Sequence, residues 1–163
     1  MTSGSQHTGA GAEWQDAGSQ FPPGQFPPHG QSIVRLEGSL LFYEHTGPFN
    51  AEFFKGLAAL RLRLRESGKL PNPYAAIVKF HGSVLMTPEA LEAYRASSRG
   101  AGNVPVAYVI PAEAEGRVLM MPALLELWRN REGETAVFES TQDAILWARS
   151  RLEEIRSRLP GRL

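Results

Sequence analysis

The sequence predicts a single α/β domain with a mixed, mostly parallel sheet and elements in the order β-β-α-β-α-β-α-β-α. Three observations predict it. Short runs rich in Val, Ile, Phe and Tyr alternate with segments whose apolar residues recur every three or four positions. The runs at 74–80 and 104–110 are almost continuously apolar, as expected of strands covered on both faces. The periodic segments start after capping residues and stop at Gly or Pro. Strands and helices in this alternation imply parallel strands joined by right-handed crossovers.

Residues 1–31 are dominated by Gly, Ser, Gln, Pro and Thr and contain two Phe-Pro-Pro units, at 21–23 and 26–28. Such a segment cannot bury enough apolar surface to offset its ordering entropy, and it reads as a disordered tail. The paired units, with Trp14, also suit a docking motif that presents aromatics on a polyproline helix. The folded domain is expected over 32–159.

Ile33-Val34-Arg35-Leu36 and Leu40-Leu41-Phe42-Tyr43-Glu44-His45 flank the turn residues Glu37-Gly38-Ser39 and predict a hairpin. Asn50 caps the next helix, with Glu52 well placed for its dipole. Phe53, Leu57, Leu60 and Leu64 form its inner face, and Arg61, Arg63 and Arg65 are expected to point elsewhere. Ser67-Gly68 ends it, and Pro71 and Pro73 forbid its continuation. After the strand at 74–80, Thr87-Pro88-Glu89 signals a helix over 88–98 with Ala90, Leu91 and Tyr94 inward. Gly100 and Gly102 end it. Pro105 is tolerable near the start of the strand at 104–110. A third helix is expected over 114–129, with Val118, Leu119, Met121, Leu124, Leu125 and Trp128 as its apolar side and a kink or restart at Pro122. Thr135-Ala136-Val137-Phe138 is a short last strand. Ser140 and Asp143 resemble a capping box, and Ile145, Ala148, Leu152, Ile155 and Leu159 face inward along the final helix.

Composition narrows the chemistry. The chain has 163 residues, and the 17 basic and 17 acidic side chains balance to zero formal charge. Such a balance gives no general attraction for nucleic acid or an anionic membrane. There is no cysteine, which removes thiolate catalysis, thiolate metal sites and disulfides. No apolar stretch approaches a membrane span and no secretory signal is visible, so a soluble, cytoplasmic protein is expected.

The junction His81-Gly82-Ser83-Val84-Leu85-Met86-Thr87-Pro88-Glu89 runs from a strand end into a helix start, where ligands of α/β proteins usually sit. It lacks the glycines and the Lys-Ser/Thr of a phosphate loop. Ser83 and His81 could be imagined as a hydrolase dyad, but no Gly-X-Ser-X-Gly surrounds Ser83. No histidine pair has metal-ligand spacing, and no cofactor is expected. Gly100-Ala101-Gly102 follows a helix and reads as its stop. The arginines at 61, 63 and 65 and at 149, 151, 156 and 158 read as solvated helix faces, the latter interleaved with Glu153 and Glu154. Met86, Met120 and Met121 read as core packing.

Several local sequences resemble the STAS-like fold of bacterial anti-sigma-factor antagonists (SpoIIAA-like). They are Thr46-Gly47-Pro48-Phe49-Asn50, Val78-Lys79-Phe80-His81, Val106-Ala107-Tyr108-Val109-Ile110-Pro111 and the closing Phe138-Glu139-Ser140-Thr141-Gln142-Asp143-Ala144-Ile145-Leu146-Trp147. The resemblance spans about residues 32–158 and implies helices packed mainly on one side of the sheet. In antagonists of known type, a serine in an Asp-Ser-Ser-Gly motif at the start of the second helix is phosphorylated by a partner kinase. Here Thr87-Pro88-Glu89-Ala90 stands at that position and the acceptor serine is not retained. Ser83 and Thr87 are the remaining candidate phosphoacceptors.

The resemblance implies a non-enzymatic regulatory or protein-interaction module whose partner is an anti-sigma-factor-like kinase or another regulator. Its expected surface comprises His81, Ser83, Thr87, Glu89 and Arg99. A small-ligand domain for a nucleotide or lipid, with an apolar pocket at Phe53, Tyr94 or Trp128, is the alternative. The Ser83/His81 hydrolase is a third.

Overall fold

A computed structural model describes residues 12–15 and 29–160. One six-stranded sheet holds β1 (Ala12–Gln15), β2 (Gln31–Glu37), β3 (Leu40–Thr46), β4 (Ala75–His81), β5 (Val106–Val109) and β6 (Thr135–Phe138), side by side in chain order. The β1–β2 and β2–β3 pairs are antiparallel, and β3 through β6 run parallel. Helices α1 (Ala51–Glu66), α2 (Pro88–Arg99) and α3 (Arg117–Arg129) connect the parallel strands, and α4 (Thr141–Arg158) follows β6. From β2 onward this is the expected order. Strand β1 comes from the segment read as a tail, with Trp14 opposite Val34 in register. Residues 1–11 and 16–28 of that segment, including both Phe-Pro-Pro units, lie outside the described residues, and Gln31 opens β2.

Strand order explains the layering. Each parallel neighbour is the next strand in sequence, so right-handed crossovers put all three connecting helices on one face. Leu41, Tyr43, Ala76, Val78, Phe80 and Tyr108 meet Phe53, Phe54, Leu57, Tyr94, Leu124 and Trp128 there. Helix α4 follows β6 and covers the other face, where Ala144, Ala148 and Leu152 pack on Leu40, Phe42, Ala75, Ile77, Ala107 and Val109. The helices are thus packed mainly on one side. Burial on both faces is why β4 and β5 carry no polar alternation.

Capping follows the sequence signals. Asn50 Oδ1 accepts from the Phe53 N–H at 3.2 Å, Thr87 Oγ1 from Ala90 at 3.1 Å and Ser140 Oγ from Asp143 at 3.3 Å. Helix α3 departs from expectation. It begins after Gly116, held at φ 77° where a side chain is strained, and runs through Pro122 without a restart. Its inner stripe is Met120, Leu124, Leu127 and Trp128. Val118, Leu119 and Leu125, expected inside, are exposed. Pro122 shares the Val118–Leu125 face and deprives the Val118 carbonyl of its N–H partner, so turning that face outward lets water serve the carbonyl. Met120 is buried, and Met86 and Met121 pack against the core as expected. Leu159, expected inside, caps α4 and is exposed.

Candidate functional site

Two places on the three-helix face concentrate polar side chains, and α2 reaches both. The first is the β4–α2 junction, which is tied down on both sides. Phe49 donates its N–H to the Leu85 carbonyl at 3.0 Å. Val84 N–H bonds the Glu115 carbonyl at 2.9 Å, and Glu115 N–H returns a bond to Gly82 at 2.8 Å. Close approach is obligatory here: a Cβ on Gly47 would overlap the Ser83 carbonyl, and one on Gly116 would overlap Leu85.

The hydroxyls of this loop are engaged locally. Ser83 is buried, and its Oγ accepts from the Leu85 N–H at 3.2 Å. Thr87 is exposed but serves as the α2 cap. His81 does not meet Ser83 in any hydrogen bond among the described residues. By strand alternation it leaves the sheet on the α4 face with Ile77. Its Nε2 lies 3.5 Å from Glu44 Oε1, and Arg35 Nη1 holds the other oxygen of Glu44 at 2.9 Å. Glu89 is exposed in the first turn of α2. Arg99 is exposed in the last turn, about 15 Å from Glu89 by helix rise, so the structure does not join it to the junction. Beside Glu89 an open groove runs between α1 and α2, floored by Ala51 and Ala93 and rimmed by Lys55, Pro88, Glu89 and Glu92.

The second place is a small chamber under the C-terminal half of α2. Tyr43, Tyr94, Tyr108, Arg61 and Arg131 contribute polar groups together with His45, Ser97 and Ser98, and Leu57, Ala76, Val78 and Val106 much of its apolar wall. Its volume is about 50 Å³. Arg61, Tyr74, Ala101 and Val104 are half-exposed and mark its mouth. Trp128 stacks on Tyr108 at 4.0 Å between centroids and donates its indole N–H to the Tyr94 hydroxyl at 2.9 Å. Tyr108 stands beside Tyr94 in the chamber lining. Burial raises the pKa of all three tyrosines, that of Tyr108 to about 12, so they stay protonated.

The two arginines are unusual in their partners. Arg61 Nη2 donates to the Ser97 carbonyl and, at 3.0 Å, to its hydroxyl. Arg131 is only 8% exposed. Its Nη2 donates to the Val104 and Gly102 carbonyls at 2.6 and 3.2 Å, its Nη1 to that of Glu134 at 3.3 Å, and its buried Nε to nothing. Neither guanidinium pairs with a carboxylate among the described residues. Burial lowers the Arg131 value, and the Arg61 charge adds to that.

Arg61 corrects the expectation that it points away: at i+4 from Leu57 and i−3 from Leu64, it lies on the inner stripe of α1, a signal present in the sequence. Arg131, in the α3–β6 turn, had no such signal. Of the pocket residues expected, Tyr94 lines the chamber, Trp128 supports it from behind, and Phe53 packs instead against His45 and Phe49. The other arginine faces are largely exposed, with Arg65 on the Gly100 carbonyl at 2.8 Å, Arg151 paired with Glu154 and Arg156 on Ser39 Oγ at 2.8 Å. No cluster of three or more acidic or histidine side chains suited to a metal occurs among the described residues, and none of their helices is long and apolar enough to cross a membrane.

Comparison with protein-family models, curated proteins and solved structures finds no match to this chain. The STAS-like resemblance therefore rests on the local sequences and the order of elements.

Proposed function

We propose that the chain is a non-enzymatic regulatory module that binds another protein through the exposed start of α2 and the adjoining α1–α2 groove. The observation that carries this reading is the contrast within the junction. Its backbone is fixed by three bonds to neighbouring loops, and its hydroxyls serve the turn and the cap. Pro88, Glu89 and Glu92 meanwhile stand exposed beside an open groove. A rigid, exposed edge costs little entropy to dock against, which favours recognition. Glu92 pairs with Arg95, and the exposed Glu89 suits a basic group on the partner, such as an anti-sigma-factor-like kinase or another regulator. Glu89 supplies a permanent charge where antagonists of known type acquire one by phosphorylation, so the charge at this surface is fixed rather than switched.

Quantitative affinity capture from native cells tests this. A protein retained by the natural chain, released by Glu89→Arg with Glu92→Arg and still retained by Arg99→Ala is the expected result. Capture that is indifferent to the double charge reversal contradicts the reading, as does phosphorylation of Ser83 or Thr87 at high occupancy. A hydrolase at Ser83 gains no support from a buried hydroxyl bonded to Leu85 and a histidine beside Glu44.

A further inference from the structure

We propose that the chamber beneath α2 binds a small organic monocarboxylate, its carboxylate held by Arg61 and Arg131 and its short apolar tail resting on the strand side chains. The inference stands apart from the protein-binding surface and does not depend on it.

Charge is the first reason. Two guanidinium groups share one small chamber, and the described residues offer them only carbonyl and hydroxyl oxygens. Removing a cation from water is costly unless an anion compensates, and two like charges in one site make it more so. An anionic ligand supplies the missing charge.

Donor chemistry is the second reason. The two guanidiniums at the chamber only donate, and the tyrosines beside them can donate as well. Tyr94 accepts from Trp128, which leaves its own hydroxyl proton to donate, and the Tyr108 hydroxyl stands in the same lining. Tyr43 brings another hydroxyl, and Arg131 Nε is buried without an acceptor. A carboxylate accepts at both oxygens and matches a guanidinium fork.

Size and lining select the rest of the molecule. A chamber of about 50 Å³ holds roughly three or four waters. Leu57, Ala76, Val78 and Val106 give it an alkyl wall that offers nothing to the outer oxygens of a phosphate. A carboxylate with a tail of two or three carbons fills both halves.

The test is calorimetric titration of the full chain with acetate, butyrate and hexanoate at constant ionic strength, with chloride and inorganic phosphate as separate arms and Tm read in parallel. Saturable binding of butyrate with a rise in Tm is expected, since a ligand held only by the native state stabilises it. Arg61→Gln should weaken binding about tenfold or more, because a charge-assisted bond is lost. Should that variant fail to fold, Tyr43→Phe gives a smaller loss, about fivefold, without changing the carbon framework. Phosphate or chloride binding as well as butyrate overturns the assignment of ligand class. Absence of saturation by any of the three carboxylates, or affinity unchanged in the folded variants, overturns the site.

Discussion

Helix α2 begins and ends in opposite circumstances. At its start, Thr87 and the preceding Ser83 direct their oxygens to backbone N–H groups of their own turns, and the loop between them is bonded to both neighbours. Toward its end, Tyr94 and Ser97 face arginines with no carboxylate partner among the described residues and a chamber with room beyond their own contacts. One end is closed on itself and presents charge outward. The other keeps charge inside and leaves it uncompensated. The place where a switch is expected from sequence position is therefore chemically quiet, and the place with unspent polar capacity lies a helix length away.

The comparison is easiest to break at the chamber wall. Trp128 is almost fully buried, stacks on Tyr108 and donates to Tyr94. Trp128→Ala should cost about 3–5 kcal/mol in urea unfolding, the usual range for deleting a large core aromatic. A loss below about 1 kcal/mol, the scale of a surface change, is incompatible with the packing described.

Next comes the closed end. Gly47→Val forces a side chain against the Ser83 carbonyl and the Phe49 ring and should destabilise by about 1–3 kcal/mol. The control is Gly38→Ala, in the β2–β3 turn, where a Cβ meets nothing but φ is positive. Its cost should be about 1 kcal/mol, a backbone penalty alone. Equal losses at the two glycines dissolve the distinction between steric closure and turn geometry.

A pH dependence comes from a buried histidine that also lines the chamber. His45 sits among Tyr43, Phe49, Phe53 and Phe80, with Nδ1 3.0 Å from Ser32 Oγ. Burial, then the nearby His81, lowers its pKa to about 3. In the unfolded chain the ring takes a proton near pH 6.5, so between there and pH 3 the unfolded state binds more protons and stability falls as pH falls. The slope from this residue is up to about 1.4 kcal/mol per pH unit. Stability of the natural chain should drop between pH 7 and pH 5 by more than that of His45→Gln. Parallel curves for the two proteins refute a neutral buried imidazole.

The smallest effect is at the cap. Thr87→Ala removes the acceptor of the Ala90 N–H and should cost about 1 kcal/mol. Butyrate affinity should stay unchanged in that variant, because the chamber draws on the other half of α2.

Most of the fold was legible because its signals are local. Gly38 and Ser39 fixed the β2–β3 turn, Asn50, Thr87 and Ser140 fixed three helix starts, and two-sided burial left β4 and β5 as unbroken apolar runs. Helix α3 was misjudged because Val118, Leu119, Leu124 and Leu125 are equally apolar, and only the placement of Pro122 toward water decides which face turns in. A pocket at Tyr94 was legible, but the charge inside it was not, for a different reason. Arginine on a helix or in a turn ordinarily reads as solvated, and only tertiary contact between α1, α2 and the α3–β6 turn brings Arg61 and Arg131 to the same tyrosines. Strand β1 escaped because nothing in Ala12-Glu13-Trp14-Gln15 announces a strand until the β2 edge is there to pair with it.

The most direct test of the contrast along α2 is a two-dimensional amide NMR titration of the full chain with butyrate. The account predicts shifts concentrated in residues 97–104 and at Arg131, with residues 82–89 nearly still. Shifts centred on 82–89, or none anywhere up to saturating ligand, would contradict it.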